Sequence, residues 1–156
     1  MKIFLIRHSE AVEEGPRLGD GDRYLTPDGR RLSRAVGSKL KAEGIAFDAL
    51  LTSPLVRAVQ TAELVAGACD FVGEIETAPW VAPGVHPRVA AEDLAHRRGS
   101  VGVVGHEPSL SALAALLVQR PSFPPFRKSQ VTLIEDGQPG WWLNPATMTL
   151  DRLLLP

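Results

Sequence analysis

The sequence predicts an α/β fold, a three-layer α/β/α sandwich around a mostly parallel central sheet. Two short apolar runs, Ile3-Phe4-Leu5-Ile6 and Val101-Gly102-Val103-Val104, lack the polar alternation of a half-exposed strand. Such runs suit strands buried on both faces, as in a sheet covered by helices. Between them Leu32, Val36 and Leu40 recur at four-residue spacing, the mark of a helix with one face on a core. Strands alternating with helices give layers of helix on either side of a sheet.

The elements follow in order. After the first strand, residues 11–24 form a polar loop with Gly15, Pro16, Gly19 and Gly21, expected at the rim of any site that strand carries. Thr26-Pro27-Asp28-Gly29 starts a helix, with Thr26 as N-cap and Pro27 as the first helical residue. Gly44 stops it. Residues 47–52 contain the second strand, and Ser53-Pro54 opens a second helix with Ala58, Ala62 and Val65 on one face. Residues 74–77 read as a short third strand, 80–87 as a Pro-rich loop and 88–96 as a helix. After the fourth strand, at 101–104, Pro108 starts a helix whose core stripe is Leu110, Leu113, Leu116 and Leu117. Residues 131–134 and 141–143 form a last pair of strands around the turn Asp136-Gly137. Trp141 and Trp142 should point to opposite faces.

At 156 residues the chain is expected to be one domain, residues 1–156, long enough to bury a core. A net charge of −1 gives no general case for nucleic acid or an acidic membrane. The single cysteine, Cys69, excludes an intramolecular disulfide and a cysteine-built zinc site, and its apolar setting suits a packed side chain. The first apolar run is too short for a signal peptide, and neither it nor residues 112–118 could span a membrane. The expectation is a soluble cytoplasmic protein.

Arg7-His8-Ser9-Glu10 ends the first strand, Arg57 follows the second, and His106 follows the fourth in Gly105-His106-Glu107-Pro108. Ligands of open α/β sheets bind at the carboxyl ends of the strands. Groups that are cationic, or can become so, gathered there make a pocket for a dianion, and a phosphoryl group carries about two negative charges. A planar guanidinium can hold two phosphate oxygens, so Arg7 and Arg57 are the expected clamp. Helices starting near Pro54 and Pro108 would add backbone donors. A neutral imidazole can attack phosphorus, and nearby arginines would keep His8 neutral. Phosphate would then pass to His8 and on to water. His106 is expected as a second phosphate ligand and a proton carrier. With arginines neutralising the charge, neither a metal nor another cofactor is called for.

Four segments share one order and spacing with a known family: Arg7-His8-Ser9-Glu10-Ala11; Leu25-Thr26-Pro27-Asp28-Gly29; Thr52-Ser53-Pro54 with Arg57-Ala58 and Gln60-Thr61-Ala62; and Gly105-His106-Glu107-Pro108-Ser109. Lys128-Ser129-Gln130-Val131 and Trp142-Leu143-Asn144-Pro145 match more weakly. Together, over nearly the whole chain, they resemble the histidine phosphatase superfamily (phosphoglycerate mutase-like), and within it the small SixA-type phosphohistidine phosphatases. The resemblance implies a phosphoglycerate mutase-like fold, His8 as phosphoacceptor, and Arg7, Arg57 and His106 holding the phosphate. It also implies a phosphorylated partner protein, such as a histidine phosphorelay domain. A small phosphate ester is the alternative substrate, and a phosphate- or phosphoprotein-binding module without turnover is the alternative class.

Two departures from the family pattern bear on this. Ser9 stands where the motif has glycine, which matters if the backbone there needs positive φ or close approach. Its hydroxyl is also a candidate phosphate ligand. The acidic proton donor of larger relatives has no clear equivalent; Glu10 and Glu107 are candidates by proximity in sequence. Glu10 reads first as a rim residue, and Glu107 could equally cap the helix at Pro108. A general acid matters most for a poor leaving group such as an alkoxide, whereas phosphohistidine leaves as imidazole. Short strand-to-helix connections leave little material for a lid, and an open site admits a side chain projecting from another protein. His86, His96 and the adjoining Arg97 and Arg98 are expected outside the chemistry, although His86 could line an entrance.

Overall fold

The structure, a computed structural model, describes all residues 1–156. Its strands are β1 (Lys2–Arg7), β2 (Ala49–Thr52), β3 (Ile75–Thr77), β4 (Ser100–Gly105), β5 (Val131–Glu135), β6 (Gln138–Asn144) and β7 (Thr149–Arg152). Its helices are α1 (Pro27–Ala42), α2 (Val56–Ala68), α3 (Pro87–Ala95) and α4 (Ser109–Leu117). The seven strands form one sheet in the order β3-β2-β4-β1-β5-β6-β7. β1 to β4 run parallel, while β5, β6 and β7 are added as antiparallel neighbours beside β1. The sheet is therefore mixed, and its parallel half carries the candidate residues.

Alternation along β1 explains the layers. Ile3 and Leu5 face one core, with Leu94 of α3 and Leu110, Leu113 and Ala114 of α4. Phe4 and Ile6 face the other, with Val36 and Leu40 of α1 and Ala58, Ala62 and Val65 of α2. A strand buried on both sides has no polar face to show, which is why its sequence is a continuous apolar run.

Local signals act largely as read. The Thr26 hydroxyl accepts from the Gly29 amide, Pro27 opens α1, and Gly44 lies just beyond its end at φ 73°. Trp141 packs on Phe4, with ring centroids 6.0 Å apart, while Trp142 sits under the Arg127 guanidinium. Cys69 is buried. Leu110 and Leu113 are buried, but Leu116 of the same stripe is exposed.

Two helix starts and one strand differ from the sequence reading. α2 starts at Val56 rather than at Ser53-Pro54, because the Ser53 hydroxyl takes the Leu55 amide and holds a turn first. α4 starts at Ser109, one residue after Pro108. β7 has no counterpart in the sequence reading. No helix is long and apolar enough to cross a membrane.

Gly37 sets the approach of α1 to α2. A Cβ there would lie 2.5 Å from the Val65 carbonyl oxygen and 2.7 Å from the Ala68 Cβ. Gly37→Ala is expected to destabilise the fold by about 1–3 kcal/mol, the range for overpacking, as measured by urea unfolding. An unchanged midpoint would contradict that contact.

Candidate active site

Register builds the site. Arg7 lies opposite Gly105 across β1 and β4, and Thr52 lies opposite Val104 across β2 and β4. β1 and β4 thus end level, and β2 ends one residue short of them. The first residue beyond each continues the pattern: the His8 amide donates to the Gly105 carbonyl and the Ser53 amide to the Val104 carbonyl. His8 and His106 come together, with ring centroids 5.1 Å apart. Arg57, in the first turn of α2, is buried.

Each arginine is tied back by a carbonyl. Arg7 Nη1 donates to the Phe126 carbonyl at 2.7 Å. Arg57 Nη1 donates to the Asp20 carbonyl at 2.7 Å, and Nη2 reaches the Asp20 carboxylate at 3.3 Å. These contacts point the forks and leave other donors free. Three buried side-chain nitrogens have no partner: Arg7 Nε, Arg57 Nε and His106 Nδ1. A buried N–H left unpaired costs about 1–3 kcal/mol, and the Nε–H groups of both arginines are such donors, which suits a bound oxyanion.

The histidines are held neutral. Burial pushes the His8 pKa down to about 4, the Ser9 carbonyl opposes this, and Arg57, Arg7 and Lys128 reinforce it by repulsion. Burial likewise takes His106 down to about 3, with His8 and Arg57 adding to the effect. Burial also lowers the Arg7 pKa, against the pull of Glu107. His8 Nδ1 lies 2.7 Å from the Ser9 carbonyl, an atom that can only accept. The proton is therefore on Nδ1, and Nε2 carries a lone pair. His106 Nε2 meets the Ser53 hydroxyl at 2.7 Å.

The structure thus brings together Arg7, His8, Arg57 and His106. Ser9 as a phosphate ligand is corrected: its hydroxyl contacts those of Ser33, at 2.6 Å, and Ser129, at 2.7 Å, and the residue is fully buried. Nor does Ser9 sit at positive φ. Glu10 is exposed and accepts from the Thr26 hydroxyl at 3.0 Å, beside the start of α1. Glu107 takes the Ser111 amide and hydroxyl, which caps α4, yet it is near enough to act on Arg7. His86 caps α3 through the Arg88 amide and is exposed. His96 is the C-cap of α3, and Arg97 is engaged by Glu76 and Asp93.

Sequence reasoning missed Asp20 and Lys128. Asp20 sits in a short 3-10 turn, Asp20–Asp22, within an aperiodic loop, so only the fold reveals its hold on Arg57. Lys128 lay in a recognised segment but carried no role.

A neutral imidazole with a free lone pair beside two anchored guanidiniums suits nucleophilic phosphoryl chemistry at a sheet edge. The comparisons with known proteins place the chain within that class. The histidine phosphatase superfamily (branch 1) matches residues 3–80. An uncharacterized protein of Picosynechococcus is 34% identical over 122 residues, covering 73% of this chain and 71% of that one. The chain belongs to the histidine phosphatase superfamily. Phosphohistidine phosphatase SixA of Escherichia coli is 29% identical, over 99% of this chain and 100% of its own length. The structure of the protein histidine phosphatase SixA complexed with tungstate superposes with a TM-score of 0.87 at 26% identity, covering 96% of this chain and 100% of that one. A phosphoglycerate mutase from Bacillus anthracis shares the fold, with a TM-score of 0.70 at 15% identity over 97% of this chain and 92% of that one.

The depressed pKa values have a consequence for stability. An unfolded histidine takes up its proton near pH 6.5, while folded His8 resists until about 4. Between those values the unfolded state binds more protons, so this contribution to stability is full above 6.5 and falls as the pH drops towards 4. NMR titration of the imidazoles should give a His8 midpoint near 4, with thermal stability falling over the same window. A midpoint near 6.5 would contradict the buried, cation-flanked setting.

Proposed function

We propose that this protein is a single-domain, metal-independent phosphatase that works through a phosphohistidine at His8, and that its substrate is phosphohistidine on a partner protein. The observation that carries the reading is the state of His8: buried, neutral, with Nδ1 committed to a carbonyl and Nε2 free.

His8 Nε2 attacks phosphorus, and the P–N bond to the substrate imidazole breaks. That imidazole leaves with a proton drawn from solvent or while still bound. Water then attacks the phosphorus on His8, and inorganic phosphate departs as the imidazole of His8 is restored. Arg7 and Arg57 hold the equatorial oxygens and balance their charge in both steps. His106 donates a further hydrogen bond. No three His, Cys, Asp or Glu side chains are grouped as metal ligands, and the guanidiniums supply the positive charge.

Two features support a phosphoramidate on a protein. Both candidate acids have structural partners, Glu10 at Thr26 and Glu107 at Ser111, and an imidazole leaving group needs a dedicated acid least. The connections from β2 to α2 and from β4 to α4 are three residues each, 53–55 and 106–108, too short to close over a substrate. The relative named phosphohistidine phosphatase SixA, matched over its full length, points the same way. Glu107 lies near Arg7, which makes it the candidate acid in a second reading, hydrolysis of a small phosphate ester.

Trapping with a radiolabelled phosphohistidine protein should give an acid-labile phosphoenzyme, absent in His8→Ala. Full turnover by His8→Ala would overturn the mechanism. Arg57→Ala should lower kcat/KM by about 10²–10³-fold, the scale of one lost transition-state donor. A chelator should leave the rate unchanged, and inhibition reversed by added metal would refute metal independence. Preference for an alcohol monoester over the phosphohistidine protein would select the second reading, and phosphate binding without turnover the non-catalytic module.

A further inference from the structure

We propose that Ser9 is a positioning residue: its hydroxyl anchors the peptide carbonyl that holds the proton of His8 on Nδ1. This rests on His8 being the phosphate acceptor. Its geometry is independent of the substrate.

The direction of each hydrogen bond around Ser9 follows from its neighbours. Ser33 Oγ donates to the Gly29 carbonyl at 2.8 Å, and Thr61 Oγ1 donates to the Arg57 carbonyl at 2.8 Å. Each hydroxyl has one hydrogen, and both are spent on the carbonyl four residues back in their own helix. Toward Ser9 both can only accept. Thr61 therefore receives the Ser9 amide at 3.0 Å, and Ser33 receives the Ser9 hydroxyl hydrogen at 2.6 Å. The Ser9 oxygen is then left to accept from Ser129, at 2.7 Å. One directed chain results, from Ser129 to Ser9 to Ser33 to the Gly29 carbonyl. Ser9, Ser33, Thr61 and Ser129 are each at most 1% exposed, so bulk water does not compete for these links.

This chain binds the residue after His8 to three separate elements. Ser33 belongs to α1, Thr61 to α2, and Ser129 to the segment before β5. Ser129 closes the circle, since its amide donates to the His8 carbonyl at 3.3 Å. With its amide and side chain fixed, the Ser9 peptide has no freedom to turn its carbonyl from His8 Nδ1. That carbonyl is the only hydrogen-bond partner of the His8 ring. Without it the proton could move to Nε2, and the lone pair would be lost from the attacking atom. A glycine at position 9 lacks the hydroxyl and would leave Ser129 donating to nothing. The departure from glycine therefore serves the mechanism rather than impairing it.

The test is a set of variants, Ser9→Gly, Ser9→Ala, Ser9→Thr and Ser129→Ala, read in two ways. The first is the ¹⁵N spectrum of the His8 imidazole in the free protein at pH 7, which reports the tautomer without substrate. Wild type and Ser9→Thr should show a single Nδ1–H form. Ser9→Gly, Ser9→Ala and Ser129→Ala should show a mixture of the two. The second is kcat against KM for phosphohistidine protein. Losing one buried hydrogen bond should lower kcat about tenfold with KM little changed, and Ser9→Thr should restore it. Ser129→Ala removes only the outermost donor, so it keeps the test alive if the Ser9 variants fail to fold. A pure Nδ1–H tautomer and an unaltered kcat in folded Ser9→Gly, or failing that in Ser129→Ala, would overturn the proposal. A tautomer that shifts as expected in a protein without phosphatase turnover would instead uphold the positioning role and defeat the functional reading.

Discussion

Everything at the site depends on the parallel register of β4 between β1 and β2. Arg7 faces Gly105, and Thr52 faces Val104, so three strands leave the sheet within one residue of the same level. Side chains alternate along a strand, and a slip of one residue would turn His8 or His106 to the opposite face. Side-chain shape opposes that slip: Phe4 packs edge-on against Phe47, with ring centroids 5.4 Å apart, on the face opposite to Ile3 and Leu5. The apolar run that stabilises the sheet is thus also what aims the imidazoles.

Such convergence has an electrostatic cost. Arg7, Arg57 and Lys128 all act repulsively on His8, in a setting where charge is already disfavoured by burial. The structure limits this cost in two ways. Both histidines stay neutral, and each arginine is met by a carbonyl, Phe126 for Arg7 and Asp20 for Arg57. The Asp20 carboxylate adds to the second tie, although it is half exposed and its Coulombic share is modest. What remains unpaired, two arginine Nε atoms and one imidazole nitrogen, is the complement of an oxyanion. A neutral imidazole and a cationic cradle are therefore one arrangement, since the cations suited to a phosphate also keep His8 unprotonated.

How much of this could be read from residues alone varied with distance along the chain. His8, Arg7, Arg57 and His106 were legible because each closely follows an apolar run, and strand ends are where α/β sheets bind ligands. Thr26, Pro27 and Gly44 were legible because caps are local chemistry. Asp20 was not, since its partner Arg57 is 37 residues away and its loop has no periodicity. The fate of the Ser9 hydroxyl was not legible either, because Ser129 lies 120 residues on and only the fold brings it near. β7 escaped notice because Thr149–Arg152 is four residues long and none of them is buried, so no apolar run marks it. Pro54 predicts a helix start by propensity, but α2 starts later because the Ser53 hydroxyl captures the Leu55 amide first.

The most direct measurement is a crystal structure of the protein with orthovanadate, which mimics phosphorus in the act of transfer. The expected result is vanadium bonded to His8 Nε2, with vanadate oxygens on the Nε atoms of Arg7 and Arg57 and His8 Nδ1 still on the Ser9 carbonyl. Vanadate bonded to His106 or to Nδ1 of His8, or bound away from both arginines, would contradict the account.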